Sequence, residues 1–501
     1  MILLRASLAC ALGALTFACG MPGATIPAAT APVGEGRPSR PVQMPEGDAT
    51  DSELRAVPPG PLPVKARAIP MPTEARLSNG VRVVLLERHD FPSVSTTFVL
   101  DGGAAVAPPG IAAAYADAMF GSSSEYKGGE AWEYLRFVGA SMRAAATPDA
   151  VVLQTTALTP LIVSALSRSA PMFTSPLLET EDVESAWTRV LAARSAAAES
   201  PAELADEELR AAVFRGHGYA VPPSGRGTRA DSPRDARAAA REIGAFRDRW
   251  LSAEHVSIAC VGDFKRDVIL RALERALGKL PRRGGGEAPD ARLAAIPKPA
   301  PQVLLVDRPG AVQSNVAVGW AGPRATDDDA VAFEVLSAAM GGQLSARLNL
   351  TVRKELGASY GVQMSSEALR AGGMVSIRTA VETGQTAGAV AAVLRELARV
   401  RTEPLSDAEL VAAKLRSYLD VEQGTTAGLS RMLAEAIARG LPPAHVSEHN
   451  ARVDALTARD VRAAADRRLA PEAAVVVIVG DAAKIESGVR SLGLGDVVVR
   501  R

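Results

Sequence analysis

In "SVSTTFVLD", residues 93–101, Val94, Thr96, Phe98 and Leu100 stand on alternate positions. Side chains alternate between the two faces of a strand, so this spacing predicts a half-buried strand with these four on its inner face. Val316, Val318 and Trp320 repeat the spacing much later in the chain. Ahead of the first strand, "LSNGVRVVLLER" places an Asn-Gly turn between two extended segments. After each strand the spacing changes to a helical one, in "GIAAAYADAMFG" (110–121) and "AVAFEVLSAAMG" (330–341). Long helical stretches follow, among them "ETEDVESAWTRVLAARSAAAES" and "SDAELVAAKLRSYLDVEQG". Strands and helices in this mixed order predict an α+β fold with helices packed on one face of a sheet.

The pattern occurs twice. "VVLLERHDFP" (83–92) matches "QVLLVDRPG" (302–310), and "STTFVLDGG" (95–103) matches "NVAVGWAGP" (315–323), which sets Arg88 against Arg308 and Gly102 against Gly322, both 220 residues apart. Near the ends of the two copies "SIACVGDFKRDVILRALERAL" matches "AVVVIVGDAAKIESGVRSLGL", with Gly262 against Gly480. The Pro- and Gly-rich run at 282–301 separates the copies. The expected architecture is therefore two tandem homologous α/β sandwich domains, 71–281 and 302–501.

Composition narrows the function classes. A chain of 501 residues exceeds one ordinary core. Lysine plus arginine equals aspartate plus glutamate at 56 each, which removes the electrostatic case for a nucleic-acid partner. Arg5 followed by the short apolar run 6–18 reads as an export signal over residues 1–19, and Ala18-Cys19 resembles a bacterial lipoprotein box. Residues 20–70 read as a disordered Pro/Ala-rich tether. Together these predict export to the cell envelope, either as a lipoprotein of the outer membrane or periplasm anchored through Cys19 or as a chain whose signal peptide is simply cleaved. Beyond the signal region only Cys260 remains, so no disulfide framework is expected.

One short motif carries candidate chemistry. His445, Glu448 and His449 spell His-x-x-Glu-His, two metal ligands one helical turn apart with a general base between them. Pro442 and Pro443 suit a helix start just before it. The competing account is a solvated amphipathic helix in which the five letters coincide.

Longer stretches point to a family. "LSNGVRVVLLERHDFPSVSTTFVLDGGA", "FRGHGYAVPPSGR" (214–226) and "MGGQLSARLNLTVRKELGASYGV" (340–362) resemble the insulinase/pitrilysin-like (M16) zinc peptidases. The resemblance implies a half-shell of two domains whose zinc motif lies on the helix after the first domain's strand. Aligning "AMFG" with the family's pattern puts Ala113 and Asp117 at the histidine positions, Ala116 at the glutamate position and Ala193 at the last ligand. A methyl group cannot ligate zinc, so the resemblance implies a zinc site lost from this chain. The second domain of the family supplies an arginine and a tyrosine that bind substrate, and Arg353 and Tyr360 fall on those positions. A guanidinium suits a peptide carbonyl or carboxylate, and a phenol suits a developing oxyanion. Gly357 between them is placed to end a helix and turn the chain into a strand. His217 and Tyr219 read as packing residues.

The reading that follows is a peptidase-like protein, inactive alone, that forms a heterodimer with a zinc-bearing homologue and helps it bind peptide substrates. Zinc is expected in that partner and no cofactor in this chain. Two alternatives stay open: a non-proteolytic envelope binding or scaffold protein, and an active zinc metallopeptidase using His445, Glu448 and His449.

Overall fold

The computed structural model describes residues 68–225, 233, 235–284, 296–418 and 424–501. The expected signal peptide, Cys19 and nearly all of the tether lie outside the described residues, as does most of the linker. No helix among the described residues is long and apolar enough to cross a membrane.

Two six-stranded mixed sheets organise the chain. The first contains β1 (Thr73–Arg76), β2 (Arg82–Glu87), β3 (Ser93–Asp101), β4 (Ser141–Ala146), β5 (Ala150–Leu158) and β6 (Val256–Gly262), ordered β1-β2-β6-β3-β5-β4. The second contains β7 (Gln302–Asp307), β8 (Gln313–Gly322), β9 (Ser359–Ala368), β10 (Gly373–Glu382), β11 (Val475–Gly480) and β12 (Val497–Arg500), ordered β12-β7-β11-β8-β10-β9. Five strands of each sheet correspond. The sixth differs, because β1 arrives from an N-terminal hairpin and runs antiparallel to β2, whereas β12 arrives from the C-terminus and runs parallel to β7. The Asn-Gly turn closes that hairpin, with Gly80 at φ +91° and the Asn79 amide donating to Leu277 O (2.7 Å) and Leu280 O (3.0 Å).

Helices cover one face of each sheet, as expected, and build a core in each repeat around Phe98, Phe173 and Trp250 in the first and Trp320, Phe333 and Leu397 in the second. The opposite faces correct the sequence-based expectation. Helix Thr426–Ala438, from the second repeat, lays Leu429, Leu433 and Ile437 on Val84, Leu86, Val99 and Val261 of the first sheet. Helix Pro201–Val213, from the first repeat, lays Leu204, Leu209 and Val213 on Leu304, Val306, Val475 and Val477 of the second. Each sheet is thus buried on both faces, once by its own helices and once by a helix of the other copy. This is why β3 is not half-buried: Ser95, Thr97 and Val99 are as buried as Val94 and Phe98. The polar members of that face find partners, with Thr97 Oγ1 and Ser430 Oγ 2.7 Å apart and Ser430 Oγ donating to Ala259 O at 3.2 Å.

The exchanged helices start on local signals. Ser200 caps the first, accepting from Glu203 N at 3.4 Å with Pro201 in the first turn, and Thr425 caps the second, accepting from Gly428 N at 2.9 Å.

Candidate functional site

Helix Ile111–Ala118 carries the positions where the resemblance places zinc. It begins after Gly110, whose φ of +82° and close approach to Val190 and Ser224 O leave no room for a Cβ. Arg194 fixes this entry by donating to Pro109 O (2.7 Å) and Ser224 O (2.9 Å), while its guanidinium lies 5.1 Å from the Trp187 ring centre. Helix Thr180–Glu199 packs across it and brings up Ala193. Ala116 is buried and Ala113 half-buried. Asp117 alone has donor atoms, and its carboxylate is ion-paired with Arg189, one turn before Ala193 on the same helix. Arg189 also donates to Ser185 Oγ at 2.7 Å. A catalytic zinc takes three protein ligands. These four residues supply one carboxylate, and a guanidinium already neutralises it. They do not fit the metal.

His445, Glu448 and His449 do lie on a helix, Ala444–Ala455, which begins after Pro443. The helix is amphipathic, with Val446, His449, Asn450 and Val453 on its buried face, and His449 is only 3% exposed. Its Nε2–H donates to Ser417 O at 3.1 Å, beside the Glu334 carboxylate at 3.4 Å. Glu448 turns instead to Arg452, 2.9 Å away. Burial, with Arg452 and His449 nearby, lowers the His445 imidazole to about 4. Among the described residues no three His, Cys, Asp or Glu side chains converge as metal ligands.

Arg353 and Tyr360 stand on either side of a turn in the second repeat. Residues Asn349–Glu355 form a widened helical turn, in which Leu356 N donates to Thr351 O at 3.1 Å, five residues back. Gly357 at φ +62° then redirects the chain into β9, the outermost strand of its sheet. Asn349 ties the turn to that strand: its amide donates to Val362 O (2.9 Å) and Gln343 O (3.0 Å) and accepts from Val362 N (2.8 Å). Arg347, ion-paired with Glu409 at 2.6 Å, anchors the same segment. On this braced frame Arg353 is exposed and Tyr360 is 90% exposed. Neither side chain has a hydrogen-bond or ion-pair partner among the described residues. Tyr360 is therefore not a core residue, and the frame holds a guanidinium and a phenol toward solvent.

A polar cluster at the junction of the repeats has no local signature in the sequence. Asp149, between β4 and β5, accepts from the buried Tyr219 hydroxyl and from Arg370 N at 3.1 Å. The same hydroxyl accepts from Ala371 N at 3.1 Å. Arg370 then reaches Ala438 O (2.8 Å) and Asp101 (2.6 Å). Burial raises the Asp149 carboxyl and the Tyr219 phenol above their usual ranges. His217 packs on Tyr219 with ring centres 4.5 Å apart and accepts from Tyr219 N, which makes it structural. Cys260 is a buried core thiol, pushed up to about 12 by its apolar surroundings.

Comparisons with known proteins agree with this architecture. Residues 82–224 match the insulinase (peptidase family M16) model, and residues 239–416 match the peptidase M16 inactive domain. An uncharacterised zinc protease of Mycobacterium leprae is 26% identical over 173 residues, 34% of this chain and 39% of that protein's length. A peptidase M16 inactive domain from Pseudomonas fluorescens superposes with a TM-score of 0.74 at 20% identity, over 82% of this chain and 98% of its own. A protease from Helicobacter pylori gives 0.74 at 16% identity, over 82% and 100%. A chain of the Candida albicans complex III dimer gives 0.69 at 16% identity, over 85% and 100%.

Proposed function

We propose, from the premise that this chain belongs to the insulinase-like M16 peptidase family, that it is the non-catalytic, substrate-binding subunit of a heteromeric zinc peptidase. One observation carries the reading. The positions for zinc hold two exposed or half-buried alanines, a buried alanine and an Asp117–Arg189 ion pair, whereas Arg353 and Tyr360 stand braced, exposed and without partners. Side chains kept fixed and unsatisfied at a surface suit a ligand that arrives from outside. A zinc-bearing homologue would supply the metal and its activated water, and this chain would supply the guanidinium and phenol that hold the peptide. The same reading places the subunit at the cell envelope, tethered through Cys19.

The test is zinc content and peptide hydrolysis, measured on the chain alone and mixed with a zinc-bearing homologue. Activity gained on mixing and lost in Arg353→Ala, with the variant's melting temperature unchanged, is the expected result. One bound zinc per chain with hydrolysis alone would restore the active-peptidase alternative. No gain on mixing, with Arg353 and Tyr360 replaceable at no cost, would favour the binding or scaffold alternative.

A further inference from the structure

We propose that the edge of the first sheet formed by helix Arg266–Leu277 and the β1–β2 hairpin docks the folded chain on an anionic lipid bilayer. The helix lies along that edge. At its start Arg266 donates to Thr73 Oγ1 (2.6 Å) and Glu74 O (3.0 Å), and near its end Glu274 accepts from Ser78 N (3.0 Å). Beyond the helix the Arg282 guanidinium lies beside Gly80, whose carbonyl accepts from Arg76 at 3.1 Å. Ile269, Leu273 and Leu277 turn inward to the core, so Val268, Arg271 and Arg275, at helical spacing, share the outer face. All three are exposed, as are Lys265 and Lys279 at the two ends of the helix.

Residues 263–284 hold seven cations and three acids, although the whole chain is balanced. Asp267 pairs with Arg271 (3.3 Å), Asp263 is hydrogen-bonded to His89 Nδ1 (2.7 Å), and Glu274 is held by Ser78. Nearby, Glu254 lies 3.9 Å from Arg282, Glu74 pairs with Arg82 (2.8 Å), and Glu125 borders a cavity of about 220 Å³ with Arg275. With these neighbours and Arg76 counted, the edge still carries nine cations to six acids. Lys265, Arg275 and Lys279 have no ion-pair partner among the described residues.

The second repeat supplies an internal control. Its corresponding residues 481–501 hold four cations and three acids. The cations of helix Ala482–Arg490 are matched, Lys484 with Asp481 (3.0 Å) and Arg490 with Glu486 (2.7 Å). The register that sets Gly262 against Gly480 places Val489, Gly493 and Val497 where Arg271, Arg275 and Lys279 stand. The cationic edge thus belongs to the first repeat and not to the fold. Its charges sit on long side chains spread over a helix, a loop and a hairpin rather than around a cleft, so they answer to a field of negative charge and not to one shape. A plane of phosphodiester headgroups supplies such a field. The edge also adjoins the start of the described chain: residue 67 lies six positions before Thr73, and the segment 1–67 carries Cys19, the position expected to bear lipid. That placement rests on the envelope reading above, and the test removes the lipid so that the two can fail separately.

The test is co-sedimentation of the full chain carrying Cys19→Ser with vesicles of phosphatidylcholine alone and of phosphatidylcholine mixed with phosphatidylglycerol. Binding is expected to the phosphatidylglycerol vesicles only, and is lost in about 1 M salt, where the screening length falls to about 3 Å. Arg275→Gln with Lys279→Gln should weaken it about twentyfold, roughly fivefold for each cation removed, at an unchanged melting temperature. Arg459→Gln with Arg462→Gln, on helix Ala458–Arg468 of the second repeat, should leave it unchanged. Equal binding to both kinds of vesicle, binding to neither, or equal loss in the two double variants would overturn the proposal. Displacement by soluble glycerol phosphate at lipid concentrations would assign the edge to a small free anion, and binding to polyglutamate without binding to vesicles would assign it to an acidic protein; either overturns it. Peptide hydrolysis with a zinc-bearing homologue is read separately. Activity on mixing without vesicle binding would overturn the docking edge alone, and vesicle binding without activity would leave it standing.

Discussion

Single residues here divide by whether their polar atoms are spent. Tyr219 is fully spent: its buried hydroxyl donates to the buried Asp149 and accepts from Ala371 N at 3.1 Å. Tyr219→Phe leaves the buried Asp149 carboxyl and the half-buried Ala371 amide without that partner, and should cost about 1–3 kcal/mol in urea unfolding. Tyr360, 90% exposed, is the opposite case. His445 lies between them. Its folded value, near 4, is below the ordinary 6.5, so the unfolded chain binds the proton more tightly. Its contribution to stability is therefore complete above about pH 6.5 and falls as pH drops toward 4. Melting temperatures between pH 7 and pH 4 should fall less steeply in His445→Gln than in the parent chain.

At the scale of elements, the exchanged helices decide more than their local sequence announces. Helix Thr426–Ala438 has alanines and leucines that suit any helix, and its cap at Thr425 is visible in the sequence. Its partner surface is not, because Leu433 meets strand residues more than 170 positions away. Leu433→Ala should destabilise the chain by about 2–5 kcal/mol, since the site lies between a rigid sheet and a helix and cannot collapse readily. The His-x-x-Glu-His element teaches the same lesson from the other side. Helical spacing put its side chains on one face, yet packing turned His449 to a carbonyl and Glu448 to Arg452. Three neighbouring letters did not become three converging ligands.

For the whole molecule, the exchange makes each repeat depend on the other. Expressed alone, residues 71–281 would lack helix Thr426–Ala438 and expose Val84, Leu86, Val99 and Val261 to water. That fragment should self-associate in size-exclusion chromatography, whereas a chain spanning both repeats stays monodisperse.

What the sequence determined by itself is local or atomic. The period-2 and helical spacings set the main strands and helices, the Asn-Gly and Gly357 turns followed from backbone sterics, and the repeated segments predicted two related sheets. At the positions where the family resemblance places zinc, the alanines at 113, 116 and 193 offer no donor atom, and a missing atom needs no fold to be missing. Tertiary structure decided what depends on residues distant along the chain: the covering of both sheet faces, the Asp117–Arg189 pair and the Asp149–Tyr219–Arg370 junction. Periodicity records which side of an element is apolar. It does not record which distant element arrives there, because that choice is made by packing and charge pairing across the whole chain.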